Sequence, residues 1–260
     1  MSPYLHDFLV VWVASAIAMT ALWAWQWRTR NAGYVDAAWA ALLACAAMYY
    51  GAVSEGGLWP RMLVAILAAF WGFRLALHVL NRVLHEVRED GRYAHLRAHW
   101  QGNQWKFFVF FQAQAASVVL FSVPFHAVAD HPSETLTPWM LLGAALFVIS
   151  LCGESVADWQ LARFKRDPAH RGKTCRVGLW AYSRHPNYFF EWLHWLSYVL
   201  MAVGSPGFLW SWIGPVLMLL SLCWVTGIPY VEAQSLRSRG DDYRRYQREV
   251  SAFVPWFPKR

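Results

Sequence analysis

The residues best suited to chemistry form the run Ser183-Arg184-His185-Pro186-Asn187-Tyr188-Phe189-Phe190-Glu191, in which polar side chains precede an apolar segment. Pro186 suits the first turn of a helix, because its missing N–H would lack a partner there in any case. Asn187 and Glu191 are then one turn apart and share a helix face. A carboxylate inside an apolar helix is costly without a partner, so Glu191 is interpreted as functional. The alternative is that this polar run only anchors the helix at a membrane surface.

Three polar segments of the chain contain the candidate residues, and they span 82–93, 154–191 and 232–255. Aromatic rings stack on bases and guanidinium groups pair with phosphates, so segments rich in both suit a nucleotide. Carboxylates suit the hydroxyl groups of a ribose. For the first segment, the alternative is a solvated charged loop. The side chains that suggest nucleotide binding are Arg92, Asp158, Lys165, Arg176, Tyr243 and Tyr246.

The composition predicts that these segments are held by membrane-spanning helices. The chain is 57% hydrophobic and 15% charged, with 18 Trp, whereas about 25% of residues are charged in a typical soluble domain. A spanning helix needs about 20 apolar residues. Seven such runs are predicted, which makes the chain an all-α seven-helix membrane bundle: Phe8–Trp27, Ala37–Val53, Met62–Leu80, Phe107–Ala129, Pro138–Ala157, Phe189–Gly204 and Gly207–Val231.

The distribution of basic residues predicts the orientation of the bundle. Connections rich in Lys and Arg alternate with connections that lack them, apart from Arg61 at the edge of a span. Basic connections face the cytoplasm, which predicts an outside N-terminus and a cytoplasmic C-terminus. The net charge of +7 therefore belongs mainly to one face, and attraction to anionic lipid headgroups explains part of it. Nucleic-acid binding is not expected, because the basic segments are short loops at a membrane surface.

The remaining patterns exclude several kinds of site. The four cysteines form no Cys-x-x-Cys pair and no disulfide framework. Glu191 and His194 form one Glu-x-x-His pair, but a carboxylate-bridged metal site needs a second such set, so no metal is expected. The absence of a Gly-x-Gly-x-x-Gly run argues against a Rossmann unit. Without repeats or linkers, residues 1–260 are predicted to form one membrane-embedded domain.

Specific residues also resemble a known family. They are Asp158-Trp159-Gln160-Leu161, Gly178-Leu179-Trp180, the Ser183–Glu191 run and Asp242-Tyr243, with Asn81-Arg82 and Glu89-Asp90-Gly91-Arg92-Tyr93 upstream. With these residues, the part from about 153 to 257 resembles the C-terminal domain of the steroid 5-alpha-reductase family. It is most similar to the bacterial, DUF1295-type branch of that family.

The resemblance implies a seven-span reductase that binds NADPH on its cytoplasmic side and passes a hydride to an activated carbon–carbon double bond. It implies a lipophilic, steroid-like or other lipid substrate drawn from the bilayer, a bacterial inner-membrane location and no protein partner. The excess positive charge at Lys165 and Arg176 favours NADPH over NADH, because it suits the 2′-phosphate. The cofactor contacts expected from the resemblance and the segments are Arg92, Asp158, Lys165, Arg176, Tyr182, Arg184, His185, Asn187, Tyr188, Glu191, Asp242, Tyr243 and Tyr246.

The residues expected to handle the substrate depart from that family. Steroid reductases polarise the substrate carbonyl with a Glu on the second span and a Tyr on the third. Here the second span has Asp36, and the expected Tyr position corresponds to His78. We expect Asp36 to orient His78, whose imidazole then donates a proton. The alternatives are an Asp36–Arg74 ion pair, a purely structural His78, and a tyrosine, Tyr93 or Tyr188, as proton donor.

Two other functions remain open. Arg184-His185-Pro186-x-Tyr188 and the pattern from Glu232 to Pro255 resemble the isoprenylcysteine and phospholipid methyltransferases, which use S-adenosylmethionine. Asn187, Glu191 and Asp158 favour a nicotinamide dinucleotide instead. A non-catalytic lipid-binding or transport protein would need no cofactor. It is disfavoured because no pair of broken helices at mid-membrane is evident.

Overall fold

The secondary structure is predominantly helical in the part that the computed structural model describes, residues 3–86, 89–225 and 227–259. Within that part there are no strands, and the one isolated bridge joins Ser183 to Ser251. The α-helices are α1 (Pro3–Thr29), α2 (Tyr34–Val53), α3 (Leu58–His85), α4 (Gly91–His99), α5 (Gln104–Ala129), α6 (Pro138–Arg166), α7 (Pro186–Met201), α8 (Ile213–Leu220), α9 (Ile228–Arg239) and α10 (Asp241–Glu249). Short 3₁₀ turns cover Pro168–His170, Gly178–Ala181 and Phe208–Trp212, and a π-helical segment covers Ser221–Val225.

Among the residues that the structure describes, six helical stretches are long and apolar enough to cross a bilayer, which indicates a multi-pass integral membrane protein. They correspond to α1, α2, α3, α5, α6 and the stretch Phe208–Arg239. Large apolar side chains such as Ile17, Ile66 and Ile149 are exposed on these helices, as expected of surfaces that face lipid. The predicted sixth span corresponds to α7, which has only 16 residues and is shorter than the others. Seven crossings and the orientation of the termini therefore stay predictions.

The helices divide into two compact units. Unit 1 comprises residues 1–137 and 202–213, and unit 2 comprises residues 138–201 and 214–260. In unit 1, α2 packs closely on α3 because both helices carry glycine at the contact. A Cβ on Gly72 would lie 2.7 Å from the carbonyl oxygen of Ala40, and a Cβ on Gly51 would lie 2.7 Å from Cβ of Ala65. Small residues of this kind let membrane helices approach closely.

In unit 2, α6 and α7 form an antiparallel pair. Gly143 near the start of α6 adjoins Met201 at the end of α7, and Gly153 adjoins the ring of Phe190 near the start of α7. A Cβ on Gly143 would lie 2.7 Å from the carbonyl oxygen of Ser197, so glycine is needed for this approach. The pairing brings the polar end of α6 next to the polar start of α7.

Candidate active site

A polar cluster in unit 1 joins the start of α2 to α4. The hydroxyl of Tyr93 donates a hydrogen bond to Oδ1 of Asp36 (2.5 Å), and Nη2 of Arg92 donates to Oδ2 of the same carboxylate (2.9 Å). Nε of Arg92 also donates to Asp90 (3.2 Å). Tyr93 is buried among apolar residues that include Val35 and Phe111. The arrangement presents one phenol, one guanidinium group and two carboxylates in contact.

Local sequence explains how α4 holds this cluster. Asp90 caps α4 by accepting a hydrogen bond from the backbone N–H of Arg92, and Gly91 follows as the first helical residue. Burial alone would raise the pKa of Asp90, but its bonds to Arg92 lower the pKa below the usual value. Nearby, Glu89 accepts from Nη2 of Arg97 (2.7 Å) and from the backbone N–H of Ala32 (2.8 Å), which fixes the segment before α4 against the start of α2.

The environment of Tyr93 keeps its proton on the phenol. Burial raises the pKa of Tyr93, and the negative charge of Asp36 raises it further. The pKa of Arg92 is raised as well, because the attraction of Asp36 and Asp90 exceeds the effect of burial. In this cluster, the carboxylate of Asp36 therefore lies between the neutral phenol of Tyr93 and the permanent cation of Arg92.

This cluster differs from the predicted pair of Asp36 and His78. The hydrogen bonds of Asp36 go to Tyr93 and Arg92, and His78 is exposed on α3 without a bond to Asp36. The physical reason is that Asp36 lies in the first turn of α2, which packs beside α4. The alternative ion pair between Asp36 and Arg74 is replaced by the pair with Arg92. Whether His78 donates a proton stays a prediction.

In unit 2, the predicted polar face forms where α6 meets α7. The side-chain amide of Asn187 donates to Oδ1 of Asp158 (3.1 Å), and Oε1 of Glu191 accepts from the indole N–H of Trp195 (3.1 Å). Asp158 is exposed, while Asn187 and Glu191 are half-buried. These polar groups are therefore accessible to a ligand with hydroxyl or amide groups. Lys165, near the end of α6, is exposed too.

Arg184 and Glu232 form a second polar cluster in unit 2. Nε of Arg184 donates to Oε1 of Glu232 (2.6 Å), and its Nη1 donates to the carbonyl oxygens of Gln247 and Val250 (2.8 Å each). His185 Nε2 lies 3.3 Å from the same carboxylate oxygen. Because the two carbonyls are at the C-terminal end of α10, Arg184 also caps that helix. We call this set the Arg184 clasp.

Neighbouring predicted residues also bond to one another. Arg176 donates to Glu249 (2.7 Å) and to Oδ1 of Asp242 (3.3 Å), so its charge is already balanced. The Tyr246 hydroxyl donates to the carbonyl oxygen of Trp180 (2.5 Å), inside the protein. Burial, and then the charge of Glu232, raises the pKa of Tyr243 to about 12. These contacts stabilise the packing of α10 against the loop that precedes α7.

The structure thus sorts the predicted cofactor contacts by accessibility. The buried ones are His185, Tyr243 and Tyr246, and Arg184 is fully engaged in the clasp. The exposed or half-buried ones are Asp158, Lys165, Arg176, Tyr182, Asn187, Tyr188, Glu191 and Asp242, with Arg92 in unit 1. Their roles as cofactor contacts stay predictions. Among the described residues, no group of three His, Cys, Asp or Glu side chains is placed to hold a metal ion.

Two residues gained importance only in the structure. Glu232 organises the clasp, although the sequence marked it only as the start of a polar segment and of the pattern shared with the methyltransferases. The rule that drew attention to Glu191, a carboxylate bordering apolar sequence, applies to Glu232 as well. Tyr93 had been only an alternative proton donor, and no local pattern pointed to Asp36 as its partner.

Comparison with known proteins identifies the family but assigns no activity. An uncharacterized protein of Schizosaccharomyces pombe (strain 972 / ATCC 24843), C594.04c, is 25% identical over 281 residues, which cover 96% of this chain and 80% of the yeast protein. No solved structure matches the chain. The model of a family described as proteins of unknown function, DUF1295, matches residues 22–250. The chain therefore belongs to the DUF1295 family.

Proposed function

We propose that this protein is a membrane-embedded reductase that uses NADPH to reduce a carbon–carbon double bond conjugated to a carbonyl in a lipophilic substrate. The observation that carries the proposal is the hydrogen bond from Tyr93 to Asp36 in unit 1. The steroid reductases that the sequence resembles polarise their substrate with a carboxylate and a tyrosine. Methyl transfer would not require a buried phenol of this kind.

Tyr93 has the properties of a proton donor. Hydride addition to a conjugated alkene places negative charge on the carbonyl oxygen, and a positioned acid there accelerates the reaction by about 10²–10⁴-fold. The single hydroxyl proton of Tyr93 is directed at Asp36 and would have to turn to the substrate oxygen. Arg92, bonded to Asp36 at 2.9 Å, would then stabilise the carboxylate that loses its partner. Asp36 and Arg92 are positioning residues in this scheme.

The polar face of unit 2 fits a nicotinamide dinucleotide. NADPH, when bound, supplies the hydride for the reaction. The carboxylates of Asp158 and Glu191 suit ribose hydroxyls, and Asn187 suits the carboxamide. Because the charge of Arg176 is balanced by Glu249 and Asp242, the exposed Lys165 is the better candidate for the 2′-phosphate. The side chains of this face thus provide both acceptors and a cation.

The Arg184 clasp favours a second candidate function. Arg184 and His185 belong to the pattern shared with S-adenosylmethionine-dependent membrane methyltransferases, and both contact Glu232 from the second part of that pattern. In this alternative, the clasp would organise the S-adenosylmethionine site. The exposed pair of Asp158 and Asn187 would then have no assigned partner in catalysis, which is why we rank the reductase first.

Thermal-shift titration of the protein in nonionic detergent distinguishes the two functions. A ligand that binds only the folded state at 100 times its Kd stabilises that state by about 2.7 kcal/mol. We expect NADPH to raise the unfolding temperature and S-adenosylmethionine to leave it unchanged. Glu191→Gln should weaken NADPH binding at an unchanged unfolding temperature without ligand. Glu55→Gln, which alters an exposed carboxylate of unit 1, is the matched control. Stabilisation by S-adenosylmethionine alone would reverse the assignment.

A further inference from the structure

Unit 1 contains a cavity that is separate from the cluster of Asp36 and Tyr93. Its volume is about 300 Å³, which is at the lower end for small-molecule sites. The walls are formed by the start of α1, the end of α5 and the segment that includes the 3₁₀ turn Phe208–Trp212. Its lining includes Phe8, His126, Asp130, Trp210 and Ile213.

The position of the cavity relative to the Tyr93 cluster can be read along α2. Asp36, which bonds to Tyr93, is the second residue after the start of α2. Tyr50 lies near the end of the same helix, and its ring centroid is 5.9 Å from that of Phe8 and 5.1 Å from that of His126. Positions 36 and 50 are separated by 14 helical steps, which correspond to about 21 Å along a helix. The cavity therefore lies at the opposite end of α2 from the proposed proton donor.

One wall of the cavity is polar and acidic. Asp130 lines it directly, and His126 Nε2 lies 3.8 Å from Oδ2 of Asp7. The other oxygen of Asp7 accepts a hydrogen bond from the hydroxyl of Tyr49 (3.1 Å). Asp130 thus places one carboxylate in the lining, and Asp7 places a second one next to the lining residue His126. The cavity lining contains no Lys or Arg.

The rest of the wall is aromatic and aliphatic. The ring of Phe8 lies 5.1 Å from that of His126, and Trp210 and Ile213 complete the apolar part. Aromatic faces attract cations, and Trp does so most strongly. A carboxylate beside aromatic rings in a small cavity therefore selects an organic cation and disfavours an anion.

We propose that this cavity binds a small lipophilic ammonium compound. The ammonium group would face Asp130, with the Asp7–His126 pair behind it, and the hydrocarbon part would pack on Phe8, Trp210 and Ile213. The site is independent of the proposed reductase activity, because none of its residues belongs to the Tyr93 cluster or to unit 2.

The test compares two probes of the same shape. Benzyltrimethylammonium is titrated into the full-length protein in nonionic detergent by isothermal titration calorimetry, and neopentylbenzene, its uncharged carbon analogue, is added as a competitor. We expect the cation to bind, and the analogue to compete roughly tenfold more weakly or worse. Equal competition by the analogue would show a cavity without charge selectivity and would overturn the proposal, as would the absence of any binding.

Variants locate the binding. Asp130→Asn should weaken binding of benzyltrimethylammonium roughly tenfold, and Glu134→Gln, which alters a nearby exposed carboxylate, should not. Since Asp130 directly follows α5, folding is checked by size-exclusion chromatography. Trp210→Leu provides a second test on a side chain that is 66% exposed and so contributes little to the core. If Trp210→Leu, or a folded Asp130→Asn variant, binds the cation like the parent, the cation binds elsewhere and the proposal is wrong.

Discussion

At the scale of single residues, the contacts of Asp36 favour Tyr93 over His78 as the proposed proton donor. Among the described residues, no carboxylate is bonded to the exposed imidazole of His78, whereas Tyr93 is buried and bonded to Asp36. A raised pKa makes Tyr93 a weaker acid in isolation, but it also ensures that the phenol carries its proton at physiological pH. Reduction of a conjugated carbonyl requires the proton to be present at that oxygen when the hydride arrives.

We therefore expect Tyr93→Phe to lower the single-turnover rate of NADPH oxidation by an accepted enone by about 10²–10⁴-fold, with little effect on NADPH binding. His78→Phe should turn over like the parent. A panel of lipophilic enones must first provide the accepted substrate, and stopped-flow absorbance measures the rate. If His78→Phe is slow and Tyr93→Phe is normal, the proton comes from the imidazole, as the sequence first suggested.

At the scale of helices, the Arg184 clasp explains how three elements of unit 2 are held together. Arg184 precedes α7, Glu232 belongs to α9, and the carbonyls of Gln247 and Val250 end α10. Only 11% of the Arg184 side chain and 15% of the Glu232 side chain are exposed, so solvent screens the pair weakly. Removing one partner leaves the other charge buried without compensation, which is strongly destabilising.

We expect Arg184→Gln to reduce the free energy of unfolding by about 3–5 kcal/mol. The control is Arg248, an exposed residue of α10. Arg248→Gln should change the free energy of unfolding by less than about 0.5 kcal/mol. Denaturant unfolding in detergent measures both. A double-mutant cycle with Glu232→Gln should show that the two losses are not additive. Additive losses would mean that Arg184 acts through the α10 carbonyls rather than through Glu232.

At the scale of the whole molecule, the number of crossings depends on α7. Its 16 residues extend about 24 Å, less than the roughly 30 Å hydrocarbon core of a bilayer. Yet α7 runs antiparallel to α6, from Asn187 beside Asp158 to Met201 beside Gly143. A helix that follows most of a spanning neighbour can complete the crossing with the residues after Met201. Seven crossings remain our prediction on this ground and on the alternation of basic connections.

Reporter fusions test the count. A reporter after Ala129 and a reporter at the C-terminus should lie on opposite sides of the membrane if α7 is part of a crossing. Alkaline phosphatase and green fluorescent protein, fused at each position, report the outside and the cytoplasm respectively. With six crossings, the two positions would lie on the same side, and the seven-span prediction would be wrong.

The sequence by itself determined the helical membrane character and most helix positions. Apolar runs place spanning helices because a bilayer requires about 20 such residues, and the predicted runs at 37–53, 107–129 and 138–157 each end or begin at a helix end in the structure. Pro186 was correctly predicted to begin a helix. The run at 207–231 was less well predicted, since the structure divides it at the π-helical segment Ser221–Val225.

Only the tertiary structure decided which side chains are partners. Tyr93 and Asp36 are 57 positions apart, and Arg184 and Glu232 are 48 positions apart. Periodicity shows which face of a helix is polar, but the rotation and depth of each helix depend on packing, including the approach that Gly72 and Gly143 permit. A small change in the rotation or the depth of α2 would give Asp36 a different neighbour. The sequence could therefore nominate Asp36 as a functional carboxylate, while its partner depended on how α2 packs beside α4.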